Sequence, residues 1–437
     1  MIIVDKALER REAEDNPLRV ALIGAGFAGR GVAQQLLTPL AGMRLSAIVN
    51  RTVPKACKLF EEHGMSCIVA DTALQVEEAL SCGHNVVTDD IASVCGATQI
   101  DVIVDTTGQV EYGARVALSA IENRKPLVMA NAELDATLGP ILKRKADAAG
   151  VTISNTDGDE PAVAMNLVRF VRTIGLRPVM AGNIKGFLDP HRNPETQEEF
   201  ARRVGQQPAM IVSFADGTKL SLECAILANA TGLGVGSRGM TGHAVEHVMD
   251  LPSRLSADEL LAHPQVDYVL GAKPGNGAFV VVHSEQPIKR QYLQYFKMGD
   301  GPLYLFYTPY HLPPFQLPAT IGRVALLGDA AVAPLGRPVA DSIAMAKRDL
   351  AAGTVLDGIG GFDCYGVIED AQIAIEEVLL PMGIAGGCRL VRDVRQDEPL
   401  TRSDIELPPN RLSDQLRAEQ DAWLAEASAK EAITTKP

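Results

Sequence analysis

The segment Arg19–Leu37, RVALIGAGFAGRGVAQQLL, constrains this chain more than any other. Val20 to Ile23 form a continuous apolar run, the pattern of a strand buried on both faces of a parallel sheet. Gly24-Ala25-Gly26-Phe27-Ala28-Gly29 follows, and from there Ala28, Val32 and Leu36 recur every four residues, the spacing of one helical face. At a strand-to-helix turn the three glycines have separate uses. The first permits the tight turn, the second lets backbone approach a pyrophosphate, and the third brings helix against sheet. The N–H groups at the helix N-terminus then face the phosphates. Gly24, Gly26, Phe27, Ala28 and Gly29 are therefore expected to hold a dinucleotide, although such a turn also occurs without a ligand, so its context has to decide.

The context is an alternation of strands and helices. A second strand, MRLSAIVN, ends at Asn50, about where this arrangement meets the adenosine ribose. Arg51 and Thr52 come next, with no carboxylate to hold a ribose 2′-hydroxyl, whereas an arginine can accommodate the 2′-phosphate of NADP. Asn50 and Arg51 thus point to NADP(H), the plain alternative for Arg51 being a solvated loop residue. IDVIVDTTG and KPLVMAN are further apolar strands, and GVTISNTDGDEP closes the series. The expectation is an α/β fold with a doubly wound parallel Rossmann sheet over residues 1–154. Thr106, Thr107, Gly108, Asn131 and Glu133 lie at strand C-terminal ends, where such folds bind their ligands; Gly108 reads equally well as a turn glycine.

From 155 to 340 the alternation breaks down, which suggests an α+β catalytic and oligomerisation domain. PAVAMNLVRFVRTIG reads as a helix behind Asp159 and Glu160, whose carboxylates suit a helix N-terminus or a substrate site. Lys185 and Arg192 fall in a glycine- and proline-flanked loop, and a lysine beside a developing alkoxide can donate a proton or balance its charge. VSFADGTKLSLECAILANATG reads as two strands joined at Asp216-Gly217, with Lys219, Ser221 and Glu223 on one face, either an ion-paired exterior or part of the site. His243 and His247 stand four apart and, on a helix, would share one side; no third ligand is supplied, so no metal site is assigned. Tyr310 and His311 offer a donor and a titratable ring. The segments AKRDLAAGTVLDGIGG and LVRDVRQDEPLTRSDIEL each read as strand, turn and strand, making a mostly β module over 341–411. RLSDQLRAEQDAWLAEASAKEA then gives a docking helix with Leu412, Leu416 and Trp423 over 412–437, its last residues expected to fray.

Composition excludes several classes. The formal net charge is −13 and no Lys/Arg block interrupts the chain, which argues against nucleic acid. No run of about eighteen apolar residues suggests a membrane span, and the charged N-terminus is unlike a signal peptide; a cytoplasmic protein is expected. Seven widely spaced cysteines fit neither a disulfide framework nor a zinc cluster. There is no G-x-S-x-G elbow for a serine hydrolase.

Taken in order, GAGFAGRG, DVIVDTTG, LVMANAELDATLGP, DGDEPA, AGNIKG, DGTKLSLECAILANATGL, GPLYLFYTPYHL and AKRDLAAGTVLDGIGG resemble the homoserine-dehydrogenase-like oxidoreductase family with a C-terminal SAF domain, and within it deoxyxylulose-phosphate reductoisomerase-like enzymes. The resemblance implies an NADPH-dependent reaction on a small, phosphorylated or unphosphorylated keto or hydroxy compound. Lys185, Glu133 and Lys219 would be catalytic, and Asp159, Glu160, Arg192, Glu223, Asn229, Tyr310 and His311 would bind substrate. A plain dehydrogenase and a non-catalytic NADP or sugar sensor remain alternatives, and a requirement for a divalent cation stays open. A homo-oligomer is expected.

Overall fold

The computed structural model describes residues 4–434, with side chains through Glu426; the fraying expected of the last residues falls outside that description. The chain forms two compact units, one of Met1–Asp135, Ile141–Asp159 and Leu312–Ala333, the other of Ala136–Pro140, Glu160–His311 and Pro334–Pro437.

The first unit holds seven strands, β1 (Leu18–Ile23), β2 (Met43–Val49), β3 (Cys67–Val69), β4 (Asn85–Thr88), β5 (Val102–Asp105), β6 (Leu127–Met129) and β7 (Ile153–Asn155), with helices between them. All pairings are parallel, in the order β3-β4-β2-β1-β5-β6-β7. This is the doubly wound sheet that the alternation implies. Residues 20–23 and 102–104 have no exposed surface, as strands covered by helices on both faces require. The helix Phe27–Leu37 turns Val32, Ala33, Leu36 and Leu37 to the core, whereas Ala28, expected on that face, is exposed. The late segment Pro313–Gly322 is a helix of this unit and contributes Leu317 and Ile321 to the same core.

In the second unit β8 (Arg177–Lys185), β9 (Gly234–Val235), β10 (His243–Ala244), β11 (Gln265–Leu270), β12 (Asn276–His283) and β13 (Leu303–Thr308) form a mixed sheet. β11 runs parallel to β8, whereas β12 is antiparallel to both β8 and β13. Alternation along β12 sends Ala278, Val280 and Val282 to one core with the helices Glu160–Thr173 and Thr218–Thr231, and Phe279 and Val281 to another with Val248 and Leu251. Two antiparallel pairs follow, β14 (Ala340–Ala346) with β15 (Cys364–Asp370) and β16 (Arg389–Leu390) with β17 (Ile405–Glu406).

Three local expectations are corrected. The Asp216-Gly217 step joins two helices, Pro208–Ala215 and Thr218–Thr231, rather than two strands. Gly217 does hold φ at +89°, so the dipeptide marks a left-handed turn correctly but says nothing of what flanks it. Every residue of Thr218–Thr231 is buried, which erases the polar face that would have revealed a helix. The two Arg-Asp segments near the C-terminus are not separate hairpins: Leu350 and Val394 exchange backbone hydrogen bonds of 2.8 Å, so the segments pair with each other. His243 and His247 share no helix. His243 lies in β10 with Nε2 3.2 Å from Asp267, and the His247 ring caps a 3-10 turn by accepting from Met249 N–H.

Candidate functional site

At the glycine turn of the first unit, Gly24 has φ +102°. A Cβ on Gly29 would stand 2.1 Å from the Gly24 carbonyl oxygen and 2.8 Å from Thr106 Oγ1, so helix and strand meet there only because the side chain is absent. A Cβ on Gly26 would meet nothing within 4 Å. The middle glycine thus faces open space, with backbone N–H groups of the helix N-terminus beside it and no side-chain cap. That is the space a pyrophosphate would need. Phe27 and Ala28 are exposed along it. The Asn50 amide steadies the turn, accepting from Ala25 N–H at 3.0 Å and donating to the Thr52 carbonyl at 2.8 Å. Arg51 is exposed and, among the described residues, in no ion pair.

At the ends of β5 and β6 the side chains are committed to one another. Thr106 Oγ1 donates to the Ile23 carbonyl at 2.9 Å, and Thr107 N–H to Asp105 at 2.9 Å. Asn131 Nδ2 donates to Asp105 at 2.8 Å while its Oδ1 caps the helix Ala132–Ala149. Burial pushes the Asp105 carboxyl up, against these hydrogen bonds. Gly108 takes φ +61°. Glu133 is buried in the first turn of the helix behind Asn131. These residues build the floor of the strand-end region, and Asn131 reaches no open space with its amide.

The second unit gathers the charged residues. Lys185, the last residue of β8, places Nζ 2.5 Å from Glu160 Oε1 and 3.2 Å from Glu223 Oε2. Glu160 begins the helix Glu160–Thr173 and Glu223 sits mid-helix in Thr218–Thr231; both are almost wholly buried. Asn183, two residues before Lys185 and so on the same sheet face, donates to Glu223 Oε2 at 2.7 Å. His311 Nδ1 lies 3.3 Å from Glu160 Oε2. Burial alone would push Glu160 up, but the Lys185 ammonium and then His311 hold it down at about 2. Burial would likewise lower Lys185, and the two glutamates instead raise it above its ordinary value. Lys185 therefore remains an ammonium across the physiological range and suits charge stabilisation better than proton donation.

Four of the expected site residues thus meet: Lys185, Glu160, Glu223 and His311. Lys219 is buried one turn before Glu223 on the same helix, so these two do share a face, through helical spacing. Ser221 does not join them; its hydroxyl donates to the Gly366 carbonyl at 3.0 Å. Asn229 binds the backbone of Val339 and Ala340. Arg192 pairs with Asp189 at 2.9 Å and lies over the Phe187 ring. Tyr310 is exposed beside His311, and Asp159 ends the first unit immediately before Glu160. Asn183 escaped the sequence reading, though the two-residue step to Lys185 along a strand was available to find it.

Residues 158–317, which carry this cluster, match the family described as oxidoreductase DRL, catalytic domain. No curated protein matches the chain. Among solved structures it is similar to an NAD-binding oxidoreductase from Klebsiella pneumoniae, at 20% identity over 40% of this chain, with a TM-score of 0.27. The chain spans 43% of that protein's length. Apo scyllo-inositol dehydrogenase from Lactobacillus casei is 12% identical over 66% of this chain and 75% of its own, with a TM-score of 0.35. A 1-deoxy-D-xylulose 5-phosphate reductoisomerase from Zymomonas mobilis, solved with NADPH, is 16% identical over 47% and 57%, with a TM-score of 0.32.

Proposed function

We propose that the chain is an NADP(H)-dependent oxidoreductase acting on the carbonyl or hydroxyl of a small, phosphorylated or unphosphorylated substrate, with a reductoisomerase of the deoxyxylulose-phosphate type as the first candidate and a plain dehydrogenase as the second. The observation that carries this reading is the Lys185 ammonium fixed between two buried glutamates, with an imidazole beside the second oxygen of one of them. The turn Gly24–Gly29 would hold the dinucleotide and Arg51 its 2′-phosphate. When bound, the nicotinamide supplies or accepts the hydride; the remaining steps fall to side chains. Lys185 would stabilise the negative charge that develops on the substrate oxygen. His311, oriented through Nδ1 by Glu160, would carry the proton at Nε2. Lys219 would add positive charge beside Glu223.

Glu160 and Glu223 already share the Lys185 ammonium, and no step is routed through a divalent cation. A cytoplasmic location and a SAF-like role for residues 341–411 belong to the same reading.

The deciding experiment is NADPH oxidation followed by absorbance against deoxyxylulose phosphate, aspartate semialdehyde and phosphorylated and unphosphorylated ketoses, each with and without magnesium or manganese. Turnover in the wild type, lost in Lys185→Ala while NADPH affinity stays within threefold, supports the reading. NADPH binding without turnover on any of them favours a sensor.

A further inference from the structure

The helix Pro287–Tyr295 of the second unit has no buried residue, yet it is not a polar helix. Ile288, Tyr292, Tyr295 and Phe296 fall at i, i+4, i+7 and i+8, the spacing of a single face. Their exposures are 70, 59, 74 and 66%. An apolar stripe at core spacing has thus formed on the side facing water. The polar side chains fix this orientation. Lys289 Nζ donates to the carbonyls of Ile174 and Gly175 at 2.9 and 2.8 Å, and Arg290 donates to the Asp300 carbonyl at 3.3 Å. Gln294 donates to the Asp300 carboxylate at 2.9 Å. With its basic groups engaged by backbone carbonyls, the helix leaves the stripe exposed to water.

We infer that this stripe is the contact through which two copies of the chain pair about a two-fold axis. The area agrees with such a contact: three rings of about 150–250 Å² each, more than half exposed, and Ile288 together offer on the order of 500 Å². Ile174, whose carbonyl binds Lys289, and Phe170 one turn before it are 41 and 51% exposed and extend the apolar face. The total is well over half of the roughly 800 Å² that one partner gives to a stable interface, and lies at the upper end of the patches that a monomer ordinarily leaves to water. The charge pattern selects a second copy as the occupant. The four stripe residues are all uncharged, and Lys289 and Arg290 are engaged by backbone carbonyls, so two antiparallel copies of the stripe meet through uncharged side chains. A net charge of −13 repels an anionic lipid surface, and the basic groups that would attract one are tied to carbonyls.

Sedimentation velocity on the full chain tests the inference, comparing wild type with Tyr292→Asp/Tyr295→Asp at matched far-UV circular dichroism. The expected result is a wild-type dimer at micromolar concentration and at least a hundredfold higher dissociation constant in the variant. A Tyr295→Cys chain, which needs no tolerance of buried charge, should form a covalent dimer under mild oxidation. A monomeric wild type overturns the inference, as does a dimer that the double substitution leaves intact and Tyr295→Cys does not cross-link. Binding of the monomer to phosphatidylglycerol vesicles would likewise overturn it in favour of a lipid surface.

Discussion

Asp135 should make the first unit less stable at neutral pH than in mild acid. It is the fourth residue of the helix Ala132–Ala149, where the helix dipole favours a negative charge. Burial overrides that preference: the side chain is 1% exposed, and among the described residues Oδ1 has no hydrogen-bond partner and only Asn155 donates, at 3.1 Å to Oδ2. Burial pushes its carboxyl up to about 7, with Asp159 adding to the shift. An unfolded aspartate ionises near 3.9. Below about pH 4 both states hold the proton and stability is whole; between about 4 and 7 only the unfolded state ionises, and stability falls by about 1.4 kcal/mol per pH unit. Above about 7 the full loss, roughly 4 kcal/mol, is in place. Asp135→Asn removes the titration while keeping an acceptor toward Asn155. Its amide would still lack one partner, a cost of about 1–3 kcal/mol, so the net gain at pH 8 should be about 1–3 kcal/mol. For a unit of this size that is a rise in Tm of about 2–12 °C. Differential scanning calorimetry at pH 5, 6, 7 and 8 reads it directly. Wild-type Tm should fall across the series relative to the variant; parallel profiles would refute the argument.

The glycine turn gives a contrast within one motif. Gly26→Ala should fold as well as wild type but bind NADPH at least tenfold more weakly by fluorescence titration, whereas Gly29→Ala, with its methyl 2.1 Å from the Gly24 carbonyl oxygen, should lose both Tm and binding. Equal affinity in Gly26→Ala would remove the turn from the cofactor site. Arg51→Asp should move the NADPH-to-NADH ratio of kcat/KM toward NADH by tenfold or more, and an unchanged ratio would return Arg51 to the solvated loop. His311→Gln should lower kcat by about 10²–10⁴-fold while KM changes little; an unchanged kcat would assign the proton to another group.

The first unit was legible because its signals are local. A strand covered on both faces must be continuously apolar, and a helix that touches a strand must spend a glycine on the contact, so Val20 to Ile23 and Gly29 carried their structure in their spelling. Ala28 departs from the expected face because the buried side of this helix begins at Gly29 and takes in Val32, Ala33, Leu36 and Leu37, so the four-residue step back from Val32 ends just outside it. The strand-end residues were found by position, but their commitments to one another were not, since a threonine that donates inward and one that faces a ligand read alike.

The second unit hides its helix for a physical reason that also explains its chemistry. Thr218–Thr231 has no exposed face on which to write polar residues, so Lys219 and Glu223 are not its surface. They are charges carried into the interior, and a buried carboxylate persists only where a cation meets it. Glu223 and Glu160 would together place two negative charges in the same buried region, and Lys185 answers both. An exposed ion-paired face would have given the same letters at the same spacing. What separates the readings is that removing a partner from a solvated pair costs about 0–1 kcal/mol, whereas removing Lys185 would leave two glutamates facing each other out of water. The positions where local patterning fails are therefore those where the fold concentrates charge, and the cluster at Lys185 is where that concentration lies within reach of an imidazole able to move a proton.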